Sequence, residues 1–307
     1  MMGSNYPENF LPPADGRDLF SEASYYLSQA DITFGNLEGP LTEKSKCSKD
    51  PSQPNTFVFR TPPRFARNLA RSGFDVLSLA NNHSRDFGRE GLADTKKALR
   101  VWGMIGLEEG EIAYCQVKGI KVGLVAFSFS PSPFSISRPE AALCLIQKQA
   151  EQCDILLVSF HAGREGPTAL HLSEKEEFYC GENRGSVINL GREAIKRGAD
   201  LVIMHGPHVP RAMEVYQGRL IAYSLGNFCF YGSSCLKYPM NLSPLLLAEL
   251  DGTGRLVKTA IISFKQLPPG WPKRDRKEQV LSLTRRLSCE DLNQPETFIN
   301  SGLDFFR

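Results

Sequence analysis

Four of the five histidines in this 307-residue chain lie in three short segments, each of which follows a run of aliphatic residues. They are His83, His161 and the pair His205 and His208, and a fourth apolar segment ends in the carboxylate of Glu38. Because open α/β sheets place their chemistry at one edge, where strands end, these residues predict a metal site there. Imidazole and carboxylate ligands suit Zn, Mn, Fe or Ni, and a carboxylate can bridge two ions.

Each segment also has a structural explanation when it is taken alone. Glu38 could cap a helix or face solvent, and Asn82-His83 could form a turn in which Asn is left-handed and His caps a helix. His161 could be a buried, hydrogen-bonded histidine. The segment His205-Gly206-Pro207-His208 is the sharpest pattern, because a Gly-Pro turn holds two imidazoles three residues apart. Together, the four segments favour a metal site over coincidence.

Composition narrows the class of protein without naming it. The chain is 41% hydrophobic and 23% charged, as in soluble globular proteins, and its length suits one large or two modest domains. A formal net charge of +2 gives no argument for a nucleic-acid or membrane partner. Eight scattered cysteines without a C-x-x-C pair indicate free thiols. The sequence as it stands therefore predicts a cytoplasmic protein that does not bind nucleic acid.

Hydrophobic periodicity predicts alternating strands and helices first and hairpins later. Strands are predicted at residues 31–35, 74–80, 154–160 and 200–204, with an edge strand at 56–60. Helices are predicted at 18–29, 63–72, 89–102, 139–151, 186–197 and 276–287, and hairpins at 112–127, 212–224 and 243–264. This order predicts a mixed α/β sandwich with two facing sheets and helices outside. Residues 1–266 are predicted to form the main domain and residues 267–307 a C-terminal appendage.

The order of the motifs resembles a known family over roughly residues 1–265. The motifs are Asn36-Leu37-Glu38-Gly39-Pro40-Leu41-Thr42, Ala80-Asn81-Asn82-His83 with Asp86, His161-Ala162-Gly163 with Glu165, His205-Gly206-Pro207-His208, and Tyr223-Ser224-Leu225-Gly226-Asn227-Phe228. In this order they resemble the calcineurin-like metallophosphoesterases. They resemble more closely the CapA family of poly-γ-glutamate, or capsule, biosynthesis proteins.

The resemblance implies a four-layer αββα fold with two divalent metal ions at the strand ends. The implied metal ligands are Glu38, Asn82, His161, His205 and His208. His83 would protonate the leaving group or stabilise the phosphorane, and Asp86 would orient its imidazole. A hydroxide bridging the two ions would attack phosphorus, since bound metal lowers the pKa of water. Arg164 or Arg85 could contact a phosphate oxygen, and Asn227 is expected to bind substrate.

Two departures from the family pattern bear on activity. Ala162 stands where the family usually has Trp, which opens the pocket or changes its wall. The family also begins with a strand ending in Gly-Asp, whereas Met1-Met2-Gly3-Ser4 matches only the end of that motif. Either the start is assigned too far downstream, or a metal ligand and the first strand are missing. The first explanation is favoured, because a gap in a sheet exposes unpaired backbone.

These departures lead to two expectations. A chain that truly began at Met1 would have a weakened first metal site and little hydrolytic activity. A start further upstream would allow a membrane anchor or secretion.

Three functions are therefore weighed. The first is a CapA-like capsule or poly-γ-glutamate biosynthesis protein with a metal-dependent phosphoesterase centre, acting on a small molecule or polymer that could be phosphorylated. The second is a non-catalytic component of a capsule or poly-γ-glutamate synthesis and export assembly. The third is an amide hydrolase, because the ligand set does not specify phosphorus over carbon. A serine nucleophile is disfavoured, since Ser159 lies within a strand and not in a Gly-x-Ser-x-Gly turn.

Overall fold

The computed structural model describes residues 1–54, 56–233, 236–302 and 305 of the chain. The strands are β1 (Phe34–Asn36), β2 (Val76–Ser78), β3 (Ile105–Leu107), β4 (Ile112–Val117), β5 (Ile120–Ser128), β6 (Ile155–His161), β7 (Phe178–Tyr179), β8 (Glu182–Asn183), β9 (Leu201–His205), β10 (Met213–Tyr216), β11 (Arg219–Ala222), β12 (Leu242–Leu250), β13 (Leu256–Leu267), β14 (Trp271–Arg274) and β15 (Asn300–Ser301). The α-helices are α1 (Ser24–Leu27), α2 (Ala66–Arg71), α3 (Gly88–Val101), α4 (Glu140–Ala150), α5 (Val187–Lys196) and α6 (Gln279–Leu292), and 3₁₀ turns span Pro13–Gly16, Pro63–Phe65 and Glu296–Phe298. None of the helices in the described residues is long and apolar enough to span a bilayer.

The chain divides into two compact units. The first unit comprises Met1–Glu108, Cys229–Leu236 and Gln266–Lys273, and the second comprises Glu109–Phe228, Lys237–Lys265 and Arg274–Arg307. The predicted domain boundary between residues 266 and 267 stays a prediction.

The sheet of the first unit is small and parallel. It runs in the order β1-β2-β3, with Asn36 opposite Ser78 and Ser78 opposite Leu107. β2 is buried throughout. Because all three strands point the same way, the segments that follow Asn36 and Ser78 leave at the same edge.

The largest sheet of the second unit has six strands in the order β10-β11-β9-β6-β5-β4. The four central strands are parallel, and β10 and β4 are antiparallel strands at the two edges. All seven residues of β6 are buried, as expected for a central parallel strand covered on both faces. Helix α4 packs on β5 and β6, and α5 packs on β9 and β11. The hydrophobic core of the unit lies here, around Phe127, Phe160 and Tyr223.

Three helices end in the same way before a strand begins. After α3, the Gly103 N–H donates to the Arg100 carbonyl and the Met104 N–H to the Leu99 carbonyl, with Gly103 at φ +77°. Gly73 after α2 and Gly198 after α5 make the equivalent pair of bonds. This is the Schellman arrangement, which satisfies the last helical carbonyls and needs a left-handed residue. It turns the chain back into β2, β3 and β9, whose positions determine the sheet edges.

The mixed α/β prediction is confirmed, and its three hairpins form as β4–β5, β10–β11 and β12–β13. The helix predicted at residues 18–29 is wrong in extent, because only α1 is α-helical and consecutive turns precede it. Those turns still bury Leu19, Phe20 and Ala23, so they satisfy the same apolar spacing. No strand forms within residues 56–60, where the Phe59 and Arg60 N–H groups donate to the side chains of Asp86 and Ser4. In residues 1–33, all described, no strand precedes β1.

A buried ion pair holds the long loop that follows β6. Both Arg211 Nη1 and Nη2 lie 2.9 Å from carboxylate oxygens of Glu177, and the two side chains are 0% and 2% exposed. Arg211 Nε also donates to the Ala169 carbonyl, and Glu177 accepts the Arg164 N–H. Burial lowers the pKa of the Arg211 guanidinium, and the neighbouring Glu177 opposes that shift. The pair therefore fixes residues 163–177 to the chain that follows β9.

Removing one charge of this pair should destabilise the protein strongly. We expect Glu177→Gln to lower the free energy of unfolding by about 3–5 kcal/mol, because it leaves the Arg211 charge buried and uncompensated. Replacing both Arg211 and Glu177 with Met should lower the free energy of unfolding by less than Glu177→Gln alone. Urea denaturation followed by circular dichroism measures both.

The matched control is Glu193→Gln, which removes the partner of Lys196 from an exposed pair on α5. It should leave the urea midpoint nearly unchanged. Equal midpoints for Glu177→Gln and Glu193→Gln would contradict the importance of the buried pair.

Candidate metal and phosphoryl site

In the first unit, side-chain amides join the segments that follow β1 and β2. The Leu37 N–H donates to the Ser78 carbonyl at 3.0 Å, which continues the sheet by one bond beyond the strands. The Asn81 Nδ2 group donates to Asn36 Oδ1 at 3.1 Å and to the Leu37 carbonyl at 3.0 Å. Asn81 thus fixes the two strand ends to each other, immediately before Glu38 on one side and Asn82 on the other.

Glu38 and Asn82 are the predicted oxygen ligands of this unit. Glu38 Oε2 accepts a 3.3 Å bond from Asn36 Nδ2. The backbone carbonyl of Asn82 accepts a bond from Lys49 Nζ at 2.9 Å. The side-chain Oδ1 of Asn82 is buried and has no hydrogen-bond partner among the residues that the structure describes. A buried amide oxygen that lacks a donor is costly unless something else coordinates it. This atom therefore fits the role of a cation ligand.

His83 and Asp86 are brought together as the sequence predicts. His83 Nδ1 lies 2.9 Å from Asp86 Oδ2, and the Asp86 side chain is fully buried. The carboxylate also accepts the Phe59 N–H at 2.9 Å and lies 2.6 Å from Lys49 Nζ. With Nδ1 donating to Asp86, the Nε2 atom of His83 is the nitrogen left to exchange a proton. Phe59 packs edge-on against the imidazole, with 4.7 Å between ring centroids.

In the second unit, the last residues of two neighbouring parallel strands are His161 and His205. They are paired in register, and the two residues are 1% and 9% exposed. Residues paired in this way project from the same face of the sheet, and adjacent strands lie about 4.8 Å apart. The Ala162 N–H then donates to the His205 carbonyl at 2.7 Å, so the pairing extends past the strands.

Gly206 makes this close approach possible. Its φ is +124°, and a Cβ atom there would lie 2.8 Å from the Ala162 carbonyl oxygen. Only glycine accepts both the conformation and the contact without distortion. The turn then brings His208 back beside the sheet edge, with its own φ at +61°.

His208 is oriented by the side chain of Asn227. His208 Nδ1 lies 2.7 Å from Asn227 Oδ1, and Asn227 Nδ2 donates to the Met240 carbonyl at 3.4 Å. Since Asn227 Oδ1 can only accept, Nδ1 is the protonated nitrogen in this arrangement and Nε2 faces Glu165 at 3.8 Å. Asn227, predicted to contact substrate, therefore contacts a predicted metal ligand.

Arg184 is not among the residues predicted from the sequence. Its side chain is 3% exposed, and Nη1 lies 2.7 Å from Glu165 Oε1. The guanidinium also stacks on Phe129, 3.7 Å from the ring centroid, and Phe129 in turn contacts His161. No local pattern marks this arginine, which lies nineteen residues after its carboxylate partner. The predicted Arg164 instead has an exposed guanidinium that donates to the Thr168 carbonyl of its own loop.

The donor set agrees in chemistry with divalent transition metals, because it combines imidazole, carboxylate and amide oxygen. Among the residues described, however, no three His, Cys, Asp or Glu side chains are grouped closely enough to hold one ion. The roles predicted for Glu38, Asn82, His161, His205 and His208 as ligands, and the two ions themselves, stay predictions. What the geometry supplies is a set of oriented donors at the strand ends of each unit.

A solved structure shares the fold of this chain. A crystal structure of a phosphatase from Mycoplasma pneumoniae shares it with a TM-score of 0.53 at 14% identity, covering 87% of this chain and 93% of that chain. The predicted metallophosphoesterase-like fold is thereby confirmed.

The sequence then identifies the family. The bacterial capsule synthesis protein PGA_cap family model matches residues 1–232, so the chain belongs to that family and the predicted resemblance is confirmed.

Two relatives have names that refer to the same biology. The capsule biosynthesis protein CapA of Bacillus anthracis is 28% identical over 233 residues, which is 69% of this chain and 53% of that protein. The PGA biosynthesis protein CapA of Bacillus subtilis (strain 168) is 26% identical over 306 residues, 92% of this chain and 74% of that protein. The chain thus spans about half of the first relative and three quarters of the second.

The ends of β6 and β9, which carry His161 and His205, are called here the histidine edge. Gly206→Ala should disturb this edge more than a comparable change elsewhere. We expect it to lower the free energy of unfolding by more than about 2 kcal/mol, since it combines an unfavourable φ with a clash against backbone. It should also shift the NMR signals of His161 and His205. Thermal denaturation and histidine proton spectra measure the two effects.

Gly119→Ala is the control, because Gly119 has φ +87° but nothing within 4 Å of the added Cβ. It should lower the free energy of unfolding by only about 1 kcal/mol, because only the positive φ angle is unfavourable there. A Gly206→Ala protein as stable as Gly119→Ala would show that the contact with Ala162 does not matter.

Proposed function

We propose that this chain contains a metal-dependent phosphoesterase-type hydrolase centre that acts in capsule or poly-γ-glutamate biosynthesis. The observation that supports the proposal most is the register of β6 and β9, with His161 opposite His205 at the strand ends. Membership of the PGA_cap family supports the biological setting. The substrate would be a small molecule or a polymer with a phosphoryl group.

Each unit has proposed ligands of its own. Glu38 and Asn82 would supply oxygen ligands from the first unit, and His161, His205 and His208 would supply imidazoles from the second. Two divalent ions, when bound, would provide charge for the transferring phosphoryl group and a water nucleophile near neutral pH. Asn227 would hold His208 in the tautomer whose Nε2 can bind a cation.

His83 is the proposed proton donor to the leaving oxygen. Its Nδ1 bond to Asp86 fixes the ring and leaves Nε2 to deliver a proton. Asp86 is itself fixed by Lys49 and the Phe59 N–H, so the imidazole has little freedom to turn. Arg184, held by Glu165, would place a positive charge beside His161 and His208 without contacting solvent.

The names of the relatives support an alternative, a non-catalytic component of a synthesis or export assembly. Both are called biosynthesis proteins, and neither name states a hydrolytic reaction. In this role the histidine edge would be structural or would bind a ligand without turnover.

Histidine substitutions should separate metal binding from proton transfer. With Mn²⁺ and a p-nitrophenyl phosphate ester, His208→Ala should lower turnover and weaken Mn²⁺ binding by roughly 10–100-fold. His83→Ala should lower turnover by roughly 10²–10⁴-fold while Mn²⁺ binding persists. Isothermal titration calorimetry measures the binding independently of activity.

His171→Ala is the matched control, because His171 is exposed and pairs with Asp291 of α6 and not with a proposed ligand. It should change neither measurement. Wild-type protein that binds Mn²⁺ but hydrolyses no ester would favour the non-catalytic role. If His208→Ala changed neither turnover nor Mn²⁺ binding, the proposed metal centre would be refuted.

A further inference from the structure

The two edges of the six-stranded sheet in the second unit differ in what satisfies their backbone. At the β10 edge, N–H groups that point away from β11 donate to side chains. The Met213 N–H donates to Ser288 Oγ at 2.8 Å, and the Val215 N–H donates to Gln294 Oε1 at 3.0 Å. Ser288 belongs to α6, which packs on β10, and Gln294 follows that helix. This edge is therefore closed to another strand.

At the opposite edge, the turn after β4 determines which backbone groups point outward. Lys118 and Gly119 form a two-residue turn, and both have positive φ, at +50° and +87°. In such a hairpin the two residues that flank the turn exchange both of their hydrogen bonds, so Val117 is bonded to Ile120. Because the pattern alternates, every second residue of β4 turns its N–H and C=O groups away from β5. These outward residues are Ile112, Tyr114 and Gln116.

The β10 edge supports this assignment. β10 also ends in a two-residue turn, Gln217-Gly218, after Tyr216. Counting back from Tyr216 by the same alternation makes Met213 and Val215 the outward residues. They are the two residues of β10 whose N–H groups donate to side chains outside the sheet.

The outward groups of β4 have no such partners. In the part of the chain that the structure describes, β4 pairs only with β5, and no side chain or loop accepts a bond from an outward N–H of this strand. Tyr114 is 40% exposed, and Gln116 is also exposed. Natural edge strands are normally kept unpaired by proline, charged side chains or bulges, and the six residues of β4 have none of these. The β4 edge is therefore built to accept a strand.

We propose that β4 pairs with β4 of a second copy of this chain, antiparallel across a two-fold axis, so that the two sheets join at this edge. A second copy fits because the strand is complementary to itself. With the axis at Tyr114, Ile112 faces Gln116 of the second copy and Tyr114 faces its own counterpart, so every outward residue faces another one. Residues that face each other in this way exchange two bonds, which gives about six across the interface.

The charges at the two ends of β4 favour the same arrangement. Glu111 precedes the strand and Lys118 follows it, and both are exposed. In the register centred on Tyr114, Lys118 of the second copy faces Gly110, which is next to Glu111. Opposite charges thus lie close together at both ends of the interface, whereas a parallel arrangement would bring like charges together. This charge pattern favours a second copy over an unrelated strand.

The ring of Tyr114 is already held in place before any association. Its hydroxyl donates to Gln149 Oε1 at 2.6 Å, and Lys121 Nζ lies 4.1 Å from the ring centroid. A side chain held in this way loses little conformational freedom when a partner binds. The interface is short, so we expect a reversible dimer with a dissociation constant in the micromolar range. This association needs neither metal nor turnover, and it can fail or succeed separately from the proposed hydrolysis.

Opposite charges at the axis position test the self-pairing directly. Wild-type chain at about 100 μM should sediment with the mass of a dimer. Tyr114→Lys and Tyr114→Glu should each sediment as monomers, because each places like charges opposite each other. An equimolar mixture of the two variants should form a heterodimer, because opposite charges then face each other. Sedimentation velocity measures all four samples.

Gln116→Pro tests the backbone pairing, with Gln116→Ala as its matched control. Proline removes an N–H that points outward, so the pairing with β5 and the fold should survive. The dimer should dissociate at least roughly tenfold more readily, because two facing hydrogen bonds are lost. Gln116→Ala keeps the N–H and should dimerise like the wild type. Circular dichroism melts show whether both variants are folded.

Three results would overturn the proposal. The first is a wild-type chain that stays monomeric at this concentration. The second is a dimer that persists unchanged in Tyr114→Lys or in Gln116→Pro. The third is a failure of Tyr114→Lys and Tyr114→Glu to associate when they are mixed, although each is folded.

Discussion

The parallel register between β6 and β9 is the constraint on which the candidate site depends. A slip of one residue would turn His161 or His205 to the opposite face of the sheet, because side chains alternate along a strand. The register is fixed by burial, since every residue of both strands lies in the core. It is extended by the bond from the Ala162 N–H to the His205 carbonyl, which Gly206 alone permits. Packing energy in the centre of the sheet thus determines the chemistry at its edge.

In each unit a buried carboxylate holds separate loop segments together. Asp86 is contacted by Lys49, His83 and the Phe59 N–H, and Glu177 by Arg211 and the Arg164 N–H. Burying a charge is unfavourable unless it is paired and hydrogen-bonded, so each carboxylate has to gather donors from separate segments. That requirement orders the segments before His83 and after His161. At Asp86, the groups that satisfy the buried charge therefore also fix the position of an imidazole, that of His83.

The sequence could predict what depends on neighbouring residues. Apolar runs that end in histidine located the sheet edges, and the spacing of His83 and Asp86 allowed their contact, which is made across only three residues. It could not predict Arg184 against Glu165 or the bond between Asn227 and His208, because those pairs meet only after the strands and loops are assembled. The helix predicted at 18–29 failed for another reason. Consecutive turns bury Leu19, Phe20 and Ala23 as well as a helix would.

The basic side chains of α3 lie close enough together to repel one another. Lys96 and Arg100 are four residues apart on one face, where like charges repel, and Lys97 lies three residues before Arg100. A helix optimised for stability would alternate signs, and Glu90 and Asp94 were available to do so. They lie instead on the adjacent face, where Lys44 and Thr42 engage them. The repulsion is offset in part by Glu108, which lies 2.9 Å from Lys96, and by the carboxyl end of α3, where positive charge such as that of Arg100 is favourable.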